Sequence, residues 1–171
     1  MKNWRPQPEE YARFYKNYIK SVPDGDPVEL LMYQGEKQLK MLKELPSGKW
    51  DYKYAPGKWS VKEMWTHVID TERVMAYRAL RIGRKDKTDL PGFEQDAYVI
   101  ESKAAGRTAE SIMIEYEAVR KSSYLLFRQL SDENLLNRGT IDANVISVRA
   151  LLYIILGHEL HHMKVLRLRY K

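Results

Sequence analysis

The stretch SVRALLYIILGHELHHMKVLRLRY, from Ser147 to Tyr170, constrains the fold more than any other part of the chain. Ser147 is a good N-cap, and apolar residues then recur with the period of an α-helix. With His158 as origin and about 100° per residue, Val165, Leu151 and Ile154 fall within about 40° of it, and Ile155 and Leu166 within about 80°. Arg149 and Arg167 lie opposite, which marks the wet side. This helix therefore buries one face, and His158 and His162 sit along the midline of that face, where Leu or Ile is ordinary.

Three earlier segments carry the same period. Asp26-Pro27 reads as an N-cap followed by a first-turn proline, and Leu30, Leu31, Gln34, Gln38, Leu42 and Leu45 carry a helix on to Pro46. Ser60 and Glu63 form a capping box that opens a second helix, running to about Gly83. Thr108 caps a third, through Ile112, Tyr116, Val119 and Phe127 to Ser131. Between the second and third, Lys85 to Arg107 reads as a long loop with one short helical turn at most. LLNRGTIDANVIS, ahead of Ser147, reads as another loop. In front, PEEYARFYKNYI spaces Tyr11, Phe14, Tyr15 and Tyr18 as on a short helix, and Pro23, Gly25 and Pro27 break it. The expected architecture is all-α: an up-down four-helix bundle over residues 26–171, preceded by an N-terminal extension, 1–25, with a short helix.

Composition removes several function classes. The longest apolar run, ALLYIIL, is far short of the roughly 20 residues of a membrane span. The N-terminal MKNWRPQPEEY does not resemble a secretory signal, so a cytoplasmic protein is expected. There is no cysteine, which excludes disulfides and thiolate metal sites; any nucleophilic sulfur must arrive with a substrate. The net charge of +6 comes from 29 basic and 23 acidic residues that interrupt one another, so it describes a solvated surface rather than a nucleic-acid face. The densest basic patch, Lys164 to Lys171, ends a helix, where cations suit the dipole.

With only four histidines in the chain, two on one buried midline point to metal. Each buried imidazole costs on the order of 1–3 kcal/mol if left without a partner, and His-x-x-x-His on a helix aims two nitrogens at one point. The letters HELHH also fit the H-E-x-x-H of zinc proteases, but the nine residues after His162 contain no His, Asp or Glu to complete that site. A third ligand is therefore expected upstream, and His67 on the second helix is the remaining histidine. It shares a face with Glu63, Met64, Thr71, Val74 and Arg78.

The edges of the stripe hold two candidate catalytic groups. Glu159, near +100°, is the nearest carboxylate for proton transfer, or else a solvated helix edge. His161, near −60°, is a rim or substrate-facing group, or else an exposed histidine. Arg78 lies about three turns beyond His67 and is placed either to bind a carboxylate at a cavity mouth or at the surface. Tyr98 and the LPGFEQD loop are candidates for the rim.

Three stretches, YAPGKWSVKEMWTHVIDTERVMAYRALR, LPGFEQDAYV and the helix from Ile146 through HELHH, resemble in order and spacing the DinB-like (DinB/YfiT) superfamily of metal-binding four-helix bundles. The resemblance implies one divalent metal on His67, His158 and His162. It also implies a cavity for a small-molecule substrate and a homodimer, with YARFYKNY as a candidate contact. Such relatives divide into thiol-dependent transferases or isomerases, using bacillithiol or mycothiol, and metal-dependent hydrolases. The expectation is thus a divalent-metal-dependent enzyme with an open coordination position, either a thiol S-transferase or a hydrolase, with zinc or nickel as the leading metals. The alternative is a non-catalytic bundle whose metal is structural or regulatory, its sphere closed by a fourth ligand such as Glu63.

Overall fold

The side chains read as caps start the helices. In the computed structural model, which describes residues 4–170, Asp26 accepts the Val28 N–H at 2.9 Å and opens α2, Pro27–Lys43. Ser60 and Glu63 satisfy each other's backbone N–H, at 3.2 and 2.6 Å, at the head of α3, Val61–Gly83. Thr108 and Ser147 accept the N–H three residues on and open α5, Ala109–Arg128, and α7, Val148–Arg169. A short α1, Lys16–Ser21, precedes them.

The four long helices form the expected all-α bundle. α3 packs against α5 and α7, and α2 packs against the same two; α2 and α3 lie on one diagonal, α5 and α7 on the other. The connection from α2 to α3 therefore crosses the end of the bundle. Among the described residues, no helix is long and apolar enough to cross a membrane.

Three segments depart from the sequence reading. The N-terminal piece is two 3₁₀ turns, Pro8–Glu10 and Arg13–Tyr15, followed by α1, because Tyr11 and Ala12 are extended between them. It is held to α7 by Glu10, whose buried carboxylate receives Arg149; Arg149, read as solvated, is part of this contact. Burial acts to raise the Glu10 pKa, but hydrogen bonds from Arg149, Ser147 and the Gln7 backbone outweigh it and bring it to about 2. Tyr11 and Tyr15, offered above as a dimer contact, pack on the chain's own core. α1 can lie so close to α7 because residue 157 is glycine: a Cβ there would stand 2.1 Å from the Tyr18 carbonyl oxygen.

The second departure is α4, Gln95–Ser102, within the supposed long loop. The third is an antiparallel hairpin, β1 Arg138–Ile141 and β2 Asn144–Ser147, where a loop was expected after α6, Asp132–Leu136. Its turn residues Asp142 and Ala143 have φ of 47° and 61°, the left-handed values of a type I′ turn. Leu90 bonds to the outer side of β1, tying the α3–α4 connection to the hairpin.

The core forms two apolar clusters. One gathers Leu31, Met75, Ala79, Phe127 and Leu151 to Leu156; the other gathers Leu42, Trp65, Ile69, Tyr116, Met163 and Leu166. Between them α3 and α7 carry polar groups: His67, Thr71 and Glu72 on one, His158, Glu159 and His162 on the other. Lys171, at the end of the basic patch noted above, lies outside the described residues.

Candidate metal centre

α3 and α7 are neighbours, so His67 meets the pair one turn apart on α7. The Nε2 of His158 stands 2.9 Å from the Nε2 of His67 and 3.1 Å from that of His162. All three ligand nitrogens lie within 4.8 Å of one another. His67 and His158 are buried and His162 half-buried.

The donor set fits a cation. A ring nitrogen carries either a proton or a lone pair, so the Nε2 of His158 can satisfy one of its imidazole neighbours but not both. A divalent ion accepts all three lone pairs at once. Tetrahedral nitrogen ligands at about 2.0–2.1 Å from zinc stand about 3.3 Å apart, close to the two short separations found. The rings are also in the right protonation state. Burial, opposed in part by Asp96, brings the His67 pKa to about 4. Burial and the neighbouring His67 and His161 bring His162 to about 3. His158 is pushed well below the ordinary imidazole value by burial and then by the other three histidines. All three are neutral lone-pair donors at pH 7.

Among the described residues no carboxylate completes the group: it consists of the three histidines. Glu63, the candidate fourth ligand, is engaged by the Ser60 backbone and by Lys53. Aromatic rings wall the centre. Trp59, from the connector before α3, lies with its ring centroid 4.8 Å from that of His67. Tyr18 of α1 meets His158 edge-on at 5.6 Å and His161 at 5.5 Å.

His158 also lines a cavity of about 880 Å³. Its walls come from α3 (Thr71, Met75, Arg78), the N-terminal segment (Tyr15, Tyr18), the start of α4 with the residues before it, and the hairpin. Arg78 and Tyr98 both line it: Arg78 is buried, correcting the surface alternative, and Tyr98 stands at its exposed edge. Glu159 sits elsewhere. It is 0% exposed and turned into the bundle, where it receives Arg120, the Tyr116 hydroxyl at 2.7 Å and Gln34 at 2.8 Å. Neither a rim position nor a solvated edge describes it. Arg120 joins it to Glu72 at 2.8 Å, closing a buried ion network. His161 is exposed, its ring against Tyr18 and His162. Trp59, Tyr18 and Arg120 were not among the candidates from sequence. The first two lie outside the four long helices, and the third looked like an ordinary charged position.

A model of the DinB superfamily matches residues 33–166, a span that includes all three histidines. The chain belongs to the DinB superfamily. No curated protein matches it by sequence. Among solved structures this DinB member is similar to YfiT from Bacillus subtilis, described as a probable metal-dependent hydrolase with an unusual four-helix bundle topology. The TM-score is 0.69 at 16% identity over 97% of each chain. It is also similar to a mycothiol-dependent maleylpyruvate isomerase, with TM-score 0.67 and 10% identity, over 85% of this chain and 61% of the isomerase. A third is the DinB-like protein YjoA from B. subtilis, with TM-score 0.60 and 18% identity, over 85% of this chain and 90% of that one. At these identities the likeness is one of fold.

Proposed function

We propose that this DinB superfamily protein is a divalent-metal-dependent enzyme acting on a small molecule, with His67, His158 and His162 holding the cation. One observation carries the reading: three neutral imidazoles converge without a fourth ligand among the described residues, and one of them lines a cavity of about 880 Å³. Structural sites are closed by four protein ligands, whereas catalytic ones keep a position open. A cation bound there supplies Lewis acidity, bringing water or a thiol toward deprotonation near neutral pH. The chain's own residues do the rest. His67 and the α7 pair fix the ion between two helices, and Trp59 and Tyr18 hold two of the rings and keep water from their backs. The cavity, within the usual range of about 300–1,000 Å³, encloses a small substrate. An all-imidazole donor set suits zinc or nickel.

Hydrolysis is the first reading, supported by the likeness to YfiT over the whole chain. Thiol-dependent transfer or isomerisation is the second, supported by the mycothiol-dependent neighbour and by a chain that has no cysteine of its own. The test is elemental analysis of protein purified without an affinity tag, followed by assays on ester and amide panels and on low-molecular-weight thiols with electrophiles. One zinc or nickel per chain, and turnover that chelation abolishes, are expected. Absence of bound metal, or turnover indifferent to chelation, would overturn the proposal.

A further inference from the structure

We infer that Arg78 and Thr71 form a carboxylate-binding subsite in the cavity, so that the protein takes a small monoanionic acid whose other end lies toward the histidines. The subsite deepens the enzyme reading above and depends on it only for the orientation of the substrate.

The first observation is the state of Arg78. It is 3% exposed and lines the cavity. Its Nη2 donates to the Pro91 carbonyl at 2.6 Å, its Nη1 meets the Met75 sulfur at 3.6 Å, and its guanidinium lies 5.8 Å from the Phe93 ring centroid. None of these is an anion. The other arginines in contact with the core are paired: Arg120 holds Glu72 and Glu159, and Arg149 holds Glu10. A buried guanidinium with no carboxylate in hydrogen-bond contact is costly, and its planar fork of five donors suits one.

Thr71 supplies the second observation. It is also 3% exposed, lines the same cavity, and its hydroxyl has no hydrogen-bond partner. A buried hydroxyl left unpaired is uncommon in folded proteins. Residues 67, 71 and 78 lie within about 40° on one face of α3, and helical side chains lean toward the N-terminus. Arg78 follows that rule by reaching back to Met75, which places its guanidinium about 12 Å along the helix from His67. Thr71 lies between the two.

Charge and walls narrow the ligand further. Asp142 lines the cavity as well, its Oδ1 accepting the Gly92 N–H at 2.9 Å. Glu94 lines it too, so with one guanidinium and two carboxylates in its lining the cavity repels a phosphate dianion more strongly than a monoanion. Met75, Phe93 and Ile154 line the space between and suit an apolar chain.

Binding of hexanoate, hexanamide and inorganic phosphate is measured by calorimetry on the protein as purified and after chelation. Hexanoate is expected to bind at least about tenfold tighter than the amide or phosphate, before and after chelation, because neither the fork nor the hydroxyl needs the metal. R78Q, which keeps a donor for Pro91, should weaken hexanoate at least about tenfold; R78K should weaken it less; T71V, about threefold. Equal affinity for acid and amide, tighter phosphate binding, or R78Q as good as wild type would overturn the subsite. So would loss of hexanoate binding in chelated H158A, which would place the anion on the histidines. Should R78Q fail to fold, T71V and the acid–amide comparison still decide. A protein that binds hexanoate in this pattern but holds no metal would retain the subsite and sink the enzyme reading alone.

Discussion

His158 and Glu159 are adjacent in the chain, yet they belong to two polar centres built on opposite terms. Glu159 joins a network with Arg120, Glu72, Tyr116 and Gln34 in which cation, anions and hydroxyl bond one another within the bundle, leaving only the Glu72 Oε1 without a partner among them. His158 stands among imidazoles that cannot satisfy one another and lines the cavity. A closed polar centre holds helices in register; one short of a partner awaits something from outside. The two sit on adjacent faces of α7, so substitutions one residue apart should separate folding from binding.

The largest effect is expected from breaking the closed centre. Arg120→Met leaves two buried carboxylates facing each other without their cation. Gly35, which makes room for this side chain, cannot supply a replacement. Removing one partner of a buried pair costs about 3–5 kcal/mol, so urea denaturation should show most of the stability gone. A variant within about 1 kcal/mol of wild type would mean that the network is not what holds the middle of the bundle. The next effect belongs to the open centre. His158→Leu restores the residue type natural to that stripe, so the metal-free fold should persist while metal content falls at least about a hundredfold. Normal metal content in this variant would remove His158 from the ligand set.

The two centres were not equally legible in the sequence. The histidines could be found because His158 and His162 break an apolar midline at helical spacing and only one other histidine exists. The ion network could not, because Glu72 and Arg120 look like ordinary surface charges on helices of mixed composition. Glu159 was misread for a related reason. Residues 150 to 159 are buried all round, since α1, α2 and α3 all pack on α7, so an angle that is an edge on a surface helix is interior here. The caps at Asp26, Ser60, Thr108 and Ser147 could be read directly, because a capping side chain acts on the backbone beside it. α4 could not, since Val99 is its one buried residue and no stripe forms. The hairpin was hidden by a turn of Asp142-Ala143 in place of the Asn-Gly or Asp-Gly that marks such turns.

Acid should act on the open centre through its lowered pKa values. The unfolded chain takes up protons on its histidines near 6.5, the folded one only near 4 at His67 and near 3 at His162. The metal-free protein therefore has its full stability from these groups above pH 6.5 and loses it as the pH falls through 4. Urea midpoints across that range should fall with acidification, and His67→Leu should flatten the fall. The same values move metal release below the pH of about 6 expected for ordinary imidazoles, so metal should be retained at pH 5. Release at pH 6 from protein that is still folded would contradict the burial assigned to these rings.

The smallest effect sharpens the comparison most. His161 lies beside His162 in sequence, is exposed, and touches Tyr18 and His162 only through ring edges. It is absent from the ligand group. His161→Ala should leave metal content unchanged and stability within about 0.5 kcal/mol, whereas His162→Ala should lose the metal. If both variants lost it, the site would extend to the surface of α7 and the open position would lie on the solvent side rather than toward the cavity. If neither did, the nitrogen separations around His158 would have to be explained without an ion. A loss confined to position 162 is what three converging rings require, because the helix turns position 161 about 100° away from its neighbour.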